Sequence, residues 1–205
     1  MKAFAMSTQP KHYLTPEEYL EIERKAEFRS EYFAGEMFAM AGARAPHNLI
    51  NANLVIRLGS QLHARPCFVY SNEQRVLVSP AGLYTYPDVV VVCGEPQFVD
   101  REFDTLINPT LLVEVLSPST EAYDRGRKFS LYRGIESLKG YLMVSSELIA
   151  AELFTRQAER RWTLTSEGKT PEDIIELEPI ECRLKLADVY EKVQFSERGP
   201  EMRPL

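Results

Sequence analysis

The stretch of sequence that decides the fold is YPDVVVV, residues 86–92. Four consecutive valines with no polar residue between them indicate a strand that is buried on both faces, as in the centre of a sheet. Pro87 suits the first position of such a strand, because proline has no N–H to donate to a neighbouring strand. A second run of this kind, LLVEVL at residues 111–116, predicts another central strand.

Helical and extended patterns alternate around these two strands. Predicted helices cover residues 16–28, 46–64, 120–134 and 186–192. The pattern also predicts a hairpin at 31–40 and strands at 68–70, 74–78, 141–145, 149–155 and 161–165, with a turn joining 68–70 to 74–78.

This mixed order predicts an α/β protein in which one mixed β-sheet is flanked by helices. The first helix, the hairpin and the second helix form an N-terminal extension, and the strands from 141 onward are additional C-terminal strands. We expect a single domain over residues 1–205, with a loose arm at 1–13 and a loose tail at 196–205. The patterns GxGxxG and GxxxxGK[ST] are absent, so no nucleotide-binding loop is predicted.

The chain is acidic, with a net charge of −6 at pH 7. Such a chain has no general attraction to nucleic acid, because phosphate binding depends on Lys and Arg. Contact with DNA would therefore need a local basic patch. The candidate patch consists of Arg125, Arg127, Lys128 and Arg133, and the alternative is an ordinary helix surface. The sequence leaves open whether the chain forms a homodimer.

The three cysteines, Cys67, Cys93 and Cys182, are far apart and form no CxxC pair. This spacing suggests neither a zinc site nor a disulfide framework, so we expect reduced thiols. The first twenty residues contain no apolar segment typical of a secretion signal, and no stretch approaches the length of a membrane span. We therefore expect a cytoplasmic protein.

Two carboxylates lie where the pattern predicts burial. Glu114 interrupts an aliphatic run in a predicted central strand, and Asp88 stands at the start of the valine strand. A buried carboxylate is costly unless it is paired, hydrogen-bonded or bound to a metal. If the two strands are neighbours, both acids meet at one end of the sheet and could bind Mg²⁺, which prefers oxygen ligands.

Each acid also has a structural interpretation. Asp88 could stabilise a strand end. Glu114 could form a buried ion pair with an arginine such as Arg75 or Arg57.

The helix that follows Glu114 carries Asp124, Lys128 and Tyr132 at four-residue spacing, which places them on one face. Lys128 could reach a site formed by the two acids and balance charge on a phosphate. Two acids and one ammonium group suit metal-assisted phosphodiester hydrolysis. The alternatives are a surface ion pair between Asp124 and Lys128 and a packing role for Tyr132.

These residues resemble the Uma-two family of endonucleases. The resemblance is carried by residues 86–92, by residues 113–119 (VEVLSPS), and by Asp124, Lys128 and Tyr132. Gly35-Glu36-Met37 followed by His47 is similar to the N-terminal pattern of the family, and the similarity runs from about residue 14 to residue 144.

The resemblance implies the restriction-endonuclease-like PD-(D/E)XK fold and a metal-dependent endonuclease activity. It also implies a Mg²⁺ or Mn²⁺ site formed by Asp88 and Glu114, with the backbone carbonyl of Val115 as a candidate third ligand.

The sequence departs from this pattern at two positions. The superfamily lysine normally stands two residues after the glutamate, where this chain has Leu116, and the family pattern places its role at Lys128. The family strand near Tyr141 often ends in aspartate, where this chain has Ser145.

Two further residues could line the site. Glu36 is a candidate extra carboxylate, and its alternative is a solvated hairpin turn. His47 is a candidate base or a local cap at a predicted helix start, where the helix dipole lowers the pKa of a histidine.

The main functional hypothesis is a metal-dependent endonuclease that acts on DNA. One alternative is a binding module that keeps the nuclease fold without turnover, which the acidic charge and the displaced lysine favour. The other is a metallohydrolase that acts on small phosphate esters.

Overall fold

The computed structural model describes residues 13–79 and 81–195. Apart from residue 13, the segments predicted to be a loose arm and tail lie outside the described residues. In chain order, the helices and strands are α1 (Pro16–Glu23), β1 (Ser30–Phe33), β2 (Glu36–Ala39), α2 (Ala45–Leu62), β3 (Cys67–Ser71), β4 (Arg75–Val78), β5 (Leu83–Thr85), β6 (Val89–Cys93), β7 (Thr105–Leu106), β8 (Leu111–Leu116), α3 (Glu121–Tyr123), α4 (Phe129–Tyr132), β9 (Gly140–Ser145), β10 (Ala151–Arg156), β11 (Trp162–Gly168), β12 (Ile174–Leu177), β13 (Cys182–Lys185) and α5 (Leu186–Val189).

The largest sheet has six strands in the order β11-β10-β9-β8-β6-β3. The valine strand β6 and the strand β8 are antiparallel neighbours near its middle, with Val89 opposite Val113. The predicted central position of both strands is confirmed. β8 and β9 run parallel, so the chain between them must cross one face of the sheet. α3, α4 and the helical turn that joins them form this crossover, and together we call them the crossover helix.

The described strands form three sheets rather than the single sheet that we predicted. A five-stranded sheet has the order β2-β1-β5-β4-β7, and β12 pairs with β13. The predicted turn between β3 and β4 therefore does not close a hairpin. It carries the chain from the six-stranded sheet to the five-stranded sheet. The mixed α/β class itself is confirmed.

The two faces of β8 pack against different layers because side chains alternate along a strand. Leu111, Val113 and Val115 pack with the buried side of α2. Leu112 and Leu116 pack in the other cluster, with Tyr132 of α4 and residues of β4. Glu114 belongs to this second face, so it points toward the crossover helix and the five-stranded sheet.

The cysteines differ from the expectation. Cys67 and Cys93 stand opposite each other on β3 and β6 and form a disulfide. The prediction of reduced thiols is therefore wrong for this pair, because strand pairing brings together two residues that are far apart in sequence. Cys182 is free and buried. Among residues 13–79 and 81–195, no helix is both long and apolar enough to cross a membrane.

Candidate active site

A cavity of about 1150 Å³ opens where β6 begins and β8 ends. Its walls come from both large sheets, from the start of α2 and from the crossover helix. The acidic and basic side chains that line its inner part are Glu31, His47, Asp88, Glu114, Asp124 and Lys128.

Asp88 is buried at the entrance to β6, with 8% of its surface exposed. Its Oδ2 atom accepts a hydrogen bond from the backbone N–H of Val115 at 2.7 Å and lies 3.3 Å from Nε2 of His47. The side-chain amide of Asn51 donates to its Oδ1 atom at 3.5 Å. Asp88 therefore does more than stabilise one strand end, because it connects the start of β6 to β8 and to α2.

Glu114 lies within hydrogen-bonding distance of two groups from the crossover helix. Its Oε1 atom accepts from the hydroxyl of Tyr132 at 2.7 Å and lies 2.9 Å from Nζ of Lys128. The alternative in which Glu114 pairs with Arg75 or Arg57 is wrong. Arg75 pairs with Asp104, and Arg57 pairs with Asp188 and Glu191. Burial raises the pKa of Glu114 to about 8, with Lys128 opposing and the neighbouring carboxylates adding to this shift.

Lys128 ends a π-helical turn, Asp124–Lys128, which joins α3 to α4. Such turns are rare and recur at functional sites. Its Nζ atom contacts Glu114 at 2.9 Å, Glu31 at 3.2 Å and Asp124 at 3.7 Å. Burial alone would lower the pKa of Lys128, but the surrounding carboxylates hold this pKa well above its ordinary value.

Asp124 and Lys128 do not form the surface pair that we considered, because both side chains are buried. Burial raises the pKa of Asp124, while Lys128 and the hydroxyl of Thr120 lower it, and the net shift is upward. The site thus holds four carboxylates, from Glu31, Asp88, Glu114 and Asp124, and two basic side chains, Lys128 and His47. The excess of acids predicts affinity for a cation.

The expectation of a lowered pKa at His47 is wrong. His47 lies in the first turn of α2, where burial favours the neutral ring. The hydrogen bond and charge of Asp88, with a backbone hydrogen bond at Val115, outweigh this effect and raise the pKa of His47. Its Nδ1 atom is buried and has no hydrogen-bond partner in the described part of the chain.

The structure brings Glu31, which the sequence analysis missed, into the site. Glu31 contacts Lys128 and accepts a hydrogen bond from the hydroxyl of Thr85. Glu36 lies at the hairpin turn, opposite Phe33, and is not among the residues described as lining the cavity. The local sequence contains no signal for Glu31, because strand alternation places it on the face opposite the buried Tyr32 and so predicts solvent exposure.

Asn51 was also missed. It stands four residues after His47 in α2, so the two side chains share a helix face and both reach Asp88. A polar residue one turn beyond a candidate site histidine was the available signal. Tyr132 is fully buried, so it combines the packing role that we considered with a hydrogen bond to Glu114.

The two residues that depart from the family pattern, Leu116 and Ser145, face each other on neighbouring strands. Leu116 is buried in the apolar cluster that contains Tyr132. Ser145 stands opposite Leu116 on β9.

The cations of the crossover helix are engaged in different ways. Arg125 pairs with Glu121 at 2.7 Å and with Glu152. Arg127 lies over the ring of Phe33 and Arg133 over the ring of Phe129. Since Lys128 is buried inside the site, the outer surface of this helix carries three of the four cations that were considered as a patch.

The donor chemistry of the site fits a hard divalent cation. Among the described residues, no three or more His, Cys, Asp or Glu side chains are grouped so that together they could hold a metal ion. Mg²⁺ does not require such a group, because it is commonly bound through one or two carboxylates, waters and substrate phosphates. Asp88 and Glu114 supply two buried carboxylates on adjoining strands, and these residues could hold Mg²⁺ or Mn²⁺.

Comparison with known proteins gives matches over most of the chain. The model of the Uma2 family, described as "Putative restriction endonuclease", matches residues 16–187. Two uncharacterized proteins of Synechocystis are also similar. Protein sll1609 is 36% identical, and the match covers 74% of this chain and 86% of sll1609. Protein slr1290 is 34% identical, and the match covers 89% of this chain and 94% of slr1290.

A crystal structure from Anabaena variabilis, described as that of a putative nuclease belonging to DUF820, has a similar fold. The comparison of this chain with the Anabaena protein gives a TM-score of 0.68 and a sequence identity of 17%. The match covers 86% of this chain and 97% of the Anabaena chain. At this identity the similarity shows the fold alone.

Proposed function

Because this chain belongs to the Uma2 family, we propose that it is a metal-dependent endonuclease that hydrolyses phosphodiester bonds of DNA. The observation that carries this proposal is the buried group of Asp88, Glu114 and Lys128 at the inner end of one cavity. Two acids and an ammonium group are expensive to bury. Their convergence at the end of a central strand pair favours a catalytic role over a structural one.

In this proposal Asp88 and Glu114 would hold Mg²⁺ or Mn²⁺, with the carbonyl of Val115 as a further ligand. A bound divalent cation would supply Lewis-acid stabilisation of the charge on the phosphate. His47 and Tyr132 hydrogen-bond the two carboxylates and so fix their orientation. Partners of this kind commonly tune the affinity of metal ligands.

Lys128 would stabilise negative charge that develops on the phosphate. Its pKa is held well above its ordinary value, so it remains an ammonium group across the physiological range. Its three carboxylate contacts fix the group before substrate arrives, and such preorganised charge is often the largest contribution to catalysis. Glu31 and Asp124 would act as positioning residues for this ammonium group.

The cavity is large enough for part of a polymer. Its volume of about 1150 Å³ lies just above the upper end of the roughly 300–1,000 Å³ that is usual for small-molecule sites. Arg127 and Arg133 remain exposed on the outer side of the crossover helix and would contact the phosphate backbone. We propose that the protein acts in the cytoplasm, where DNA is present and where the Cys67–Cys93 disulfide would be open to reduction.

The proposal is tested by nicking of supercoiled plasmid DNA in Mg²⁺ or Mn²⁺. Wild type and the exposed control Glu159→Gln should cut, whereas Asp88→Asn and Glu114→Gln should not. If folded wild type cuts no DNA with either ion, a binding module without turnover replaces this proposal. Efficient hydrolysis of a small phosphate ester together with intact plasmid would support the small-substrate alternative.

A further inference from the structure

Three large apolar side chains line the outer part of the site cavity while remaining exposed. Phe28 is 78% exposed, Phe38 is 49% exposed and Met40 is 38% exposed. We call them the apolar wall. A single exposed apolar residue is ordinary. Three of them lining one cavity with the buried acids Asp88 and Glu114 indicate a surface that contacts a ligand.

The position of Phe38 connects this wall to the inner site. Phe38 stands directly opposite Glu31 in the β1–β2 pair, so both side chains project from the same face. Side chains in such positions have Cβ atoms about 4.5–5.5 Å apart. Glu31 contacts Lys128 at 3.2 Å. A group that packs on Phe38 therefore lies one side chain away from the ammonium group of the site.

Apart from Arg127 and Arg133 on the outer side of the crossover helix, the cations near the cavity offer little charge to a phosphate backbone. Lys128 is enclosed by three carboxylates, Arg29 pairs with Glu73, and Arg125 pairs with two glutamates. Arg44 is exposed on the cavity wall and has no ion pair within the described ranges. Because the affinity of charge for any nucleic-acid backbone depends on phosphate contacts, these cations supply little affinity. A nucleic acid that binds here must therefore gain affinity from contact with the apolar wall, which requires accessible base faces.

We propose that the apolar wall stacks unpaired bases, and that the substrate is DNA with a single-stranded segment rather than a fully paired duplex. This inference rests on the proposed nuclease function and names its substrate class. Aromatic rings stack on the π-face of any base, which gives affinity without sequence preference. In a paired duplex these faces are covered by neighbouring bases. Only an unpaired segment can present them to Phe28 and Phe38.

The first test measures binding by fluorescence anisotropy in EDTA, so that no cleavage occurs. The probes are a labelled 20-nucleotide thymidine strand and its duplex with the complementary adenine strand. Wild type should bind the single strand at least tenfold more tightly than the duplex. The double variant Phe28→Ala/Phe38→Ala should bind the single strand about tenfold more weakly or worse, with unchanged duplex affinity.

A matched control is available on another edge strand. Phe68 on β3 is 46% exposed and lies outside the cavity. Phe68→Ala should bind the single strand as wild type does. Thermal melts of all variants should agree closely, because the replaced rings are exposed.

The second test detects stacking directly. Phe38→Trp should retain affinity, and its added tryptophan fluorescence should be quenched by the single strand but not by the duplex. Wild type supplies the background, because it contains one tryptophan, Trp162 on β11, which does not line the cavity.

Several results would overturn the inference. These are equal affinity for duplex and single strand, unchanged binding by the double variant, and no quenching in Phe38→Trp. Tighter binding of a single-stranded RNA of equal length would overturn the assignment to DNA. A wild-type dimer that the double variant converts to a monomer, with single-strand affinity unchanged, would show that a second copy covers the wall.

Failure of this inference differs from failure of the proposed function. If wild type and the double variant cut duplex DNA equally well, the endonuclease remains and base stacking is rejected. If the wall binds and quenches as expected but no DNA is cut in Mg²⁺ or Mn²⁺, the stacking surface remains and the endonuclease is rejected.

Discussion

The Nζ atom of Lys128 lies 2.9 Å from Oε1 of Glu114, although the two residues come from different elements. The glutamate is in the strand β8 and the lysine is in the helix that crosses over to β9. Leu116, at the usual strand position of the lysine, is part of the apolar core instead. The ammonium group thus reaches the acids from the layer above the sheet.

This contact predicts a double effect for Lys128→Ala. Turnover should fall at least about a hundredfold, which corresponds to the loss of one transition-state contact of about 2.7–4 kcal/mol. Stability should fall as well, by about 3–5 kcal/mol, because the variant leaves buried carboxylates without their cation. Plasmid nicking and thermal melts measure the two effects, and Lys139→Ala, an exposed lysine, is the control.

The stability loss should depend on pH. Without Lys128 the buried carboxyl groups hold protons to higher pH in the folded state than in the unfolded state. The folded variant therefore binds more protons, and its stability falls as pH rises. If Lys128→Ala lowers the free energy of unfolding equally at pH 5 and pH 8, this explanation is wrong.

The hairpin offers a matched pair of glutamates. Glu31→Gln removes a charged partner of Lys128, so turnover should fall roughly ten- to a hundredfold, in line with a charged hydrogen bond worth about 1.5–3 kcal/mol. Glu36→Gln, on the same hairpin but away from the cavity lining, should retain activity. The comparison needs kcat and KM separately, because a positioning role predicts a change mainly in kcat. Equal activity of Glu31→Gln and Glu36→Gln would show that Glu31 does not position Lys128 for catalysis.

Metal binding should depend on pH, because a cation must displace the proton of Glu114. Burial raises the pKa of this carboxyl group to about 8 in the absence of metal. The carboxylate form is therefore a minority at pH 6.5 and the majority at pH 8.5. The rise in melting temperature with millimolar Mn²⁺ should be larger at pH 8.5, and an ion at a hundred times its Kd adds about 2.7 kcal/mol.

The control for metal binding is Glu114→Gln, in which the stabilisation by Mn²⁺ should vanish at both pH values. An equal rise in wild type and variant would place the ion elsewhere.

The disulfide predicts a separation of stability from function. Closing a loop of 26 residues between Cys67 and Cys93 should stabilise the protein by about 3.5 kcal/mol. Reduction should therefore lower the melting temperature. It should not change DNA cleavage at 25 °C, because Asp88 precedes β6 whereas Cys93 ends this strand. The double variant Cys67→Ser/Cys93→Ser should melt like the reduced protein, and a loss of cleavage on reduction would contradict this separation.

The sequence predicted the centre of the fold better than its edges. Continuous burial of residues 89–92 and 111–116 is a strong local signal, and both strands lie where it placed them. The two-residue strand β7 and the three-residue strand β5 are too short to show periodicity. The division into separate sheets depends on which strands pair, and pairing is decided by long-range packing rather than by local pattern.

The candidate site shows the same limit. Glu114 was found because it interrupts an aliphatic run, and Asp88 because it stands at the start of the valine strand. Glu31 lies in a short hairpin whose local sequence suggests solvent exposure, and its partial burial comes from contact with a helix almost a hundred residues later. The helix position of His47 predicted a lowered pKa, but Asp88, from another element, reverses the direction.

The parallel pairing of β8 with β9 constrains how the molecule assembles. The helix that delivers Lys128 is also the connection that lets β9 reach its place beside β8. During synthesis Asp88 and Glu114 emerge before Lys128, and β9 emerges after Lys128. Pairings between distant segments form slowly, so a partly folded chain would display the acids without their ammonium group. Catalytic competence would therefore arrive only when the crossover helix is in place and β9 has paired with β8.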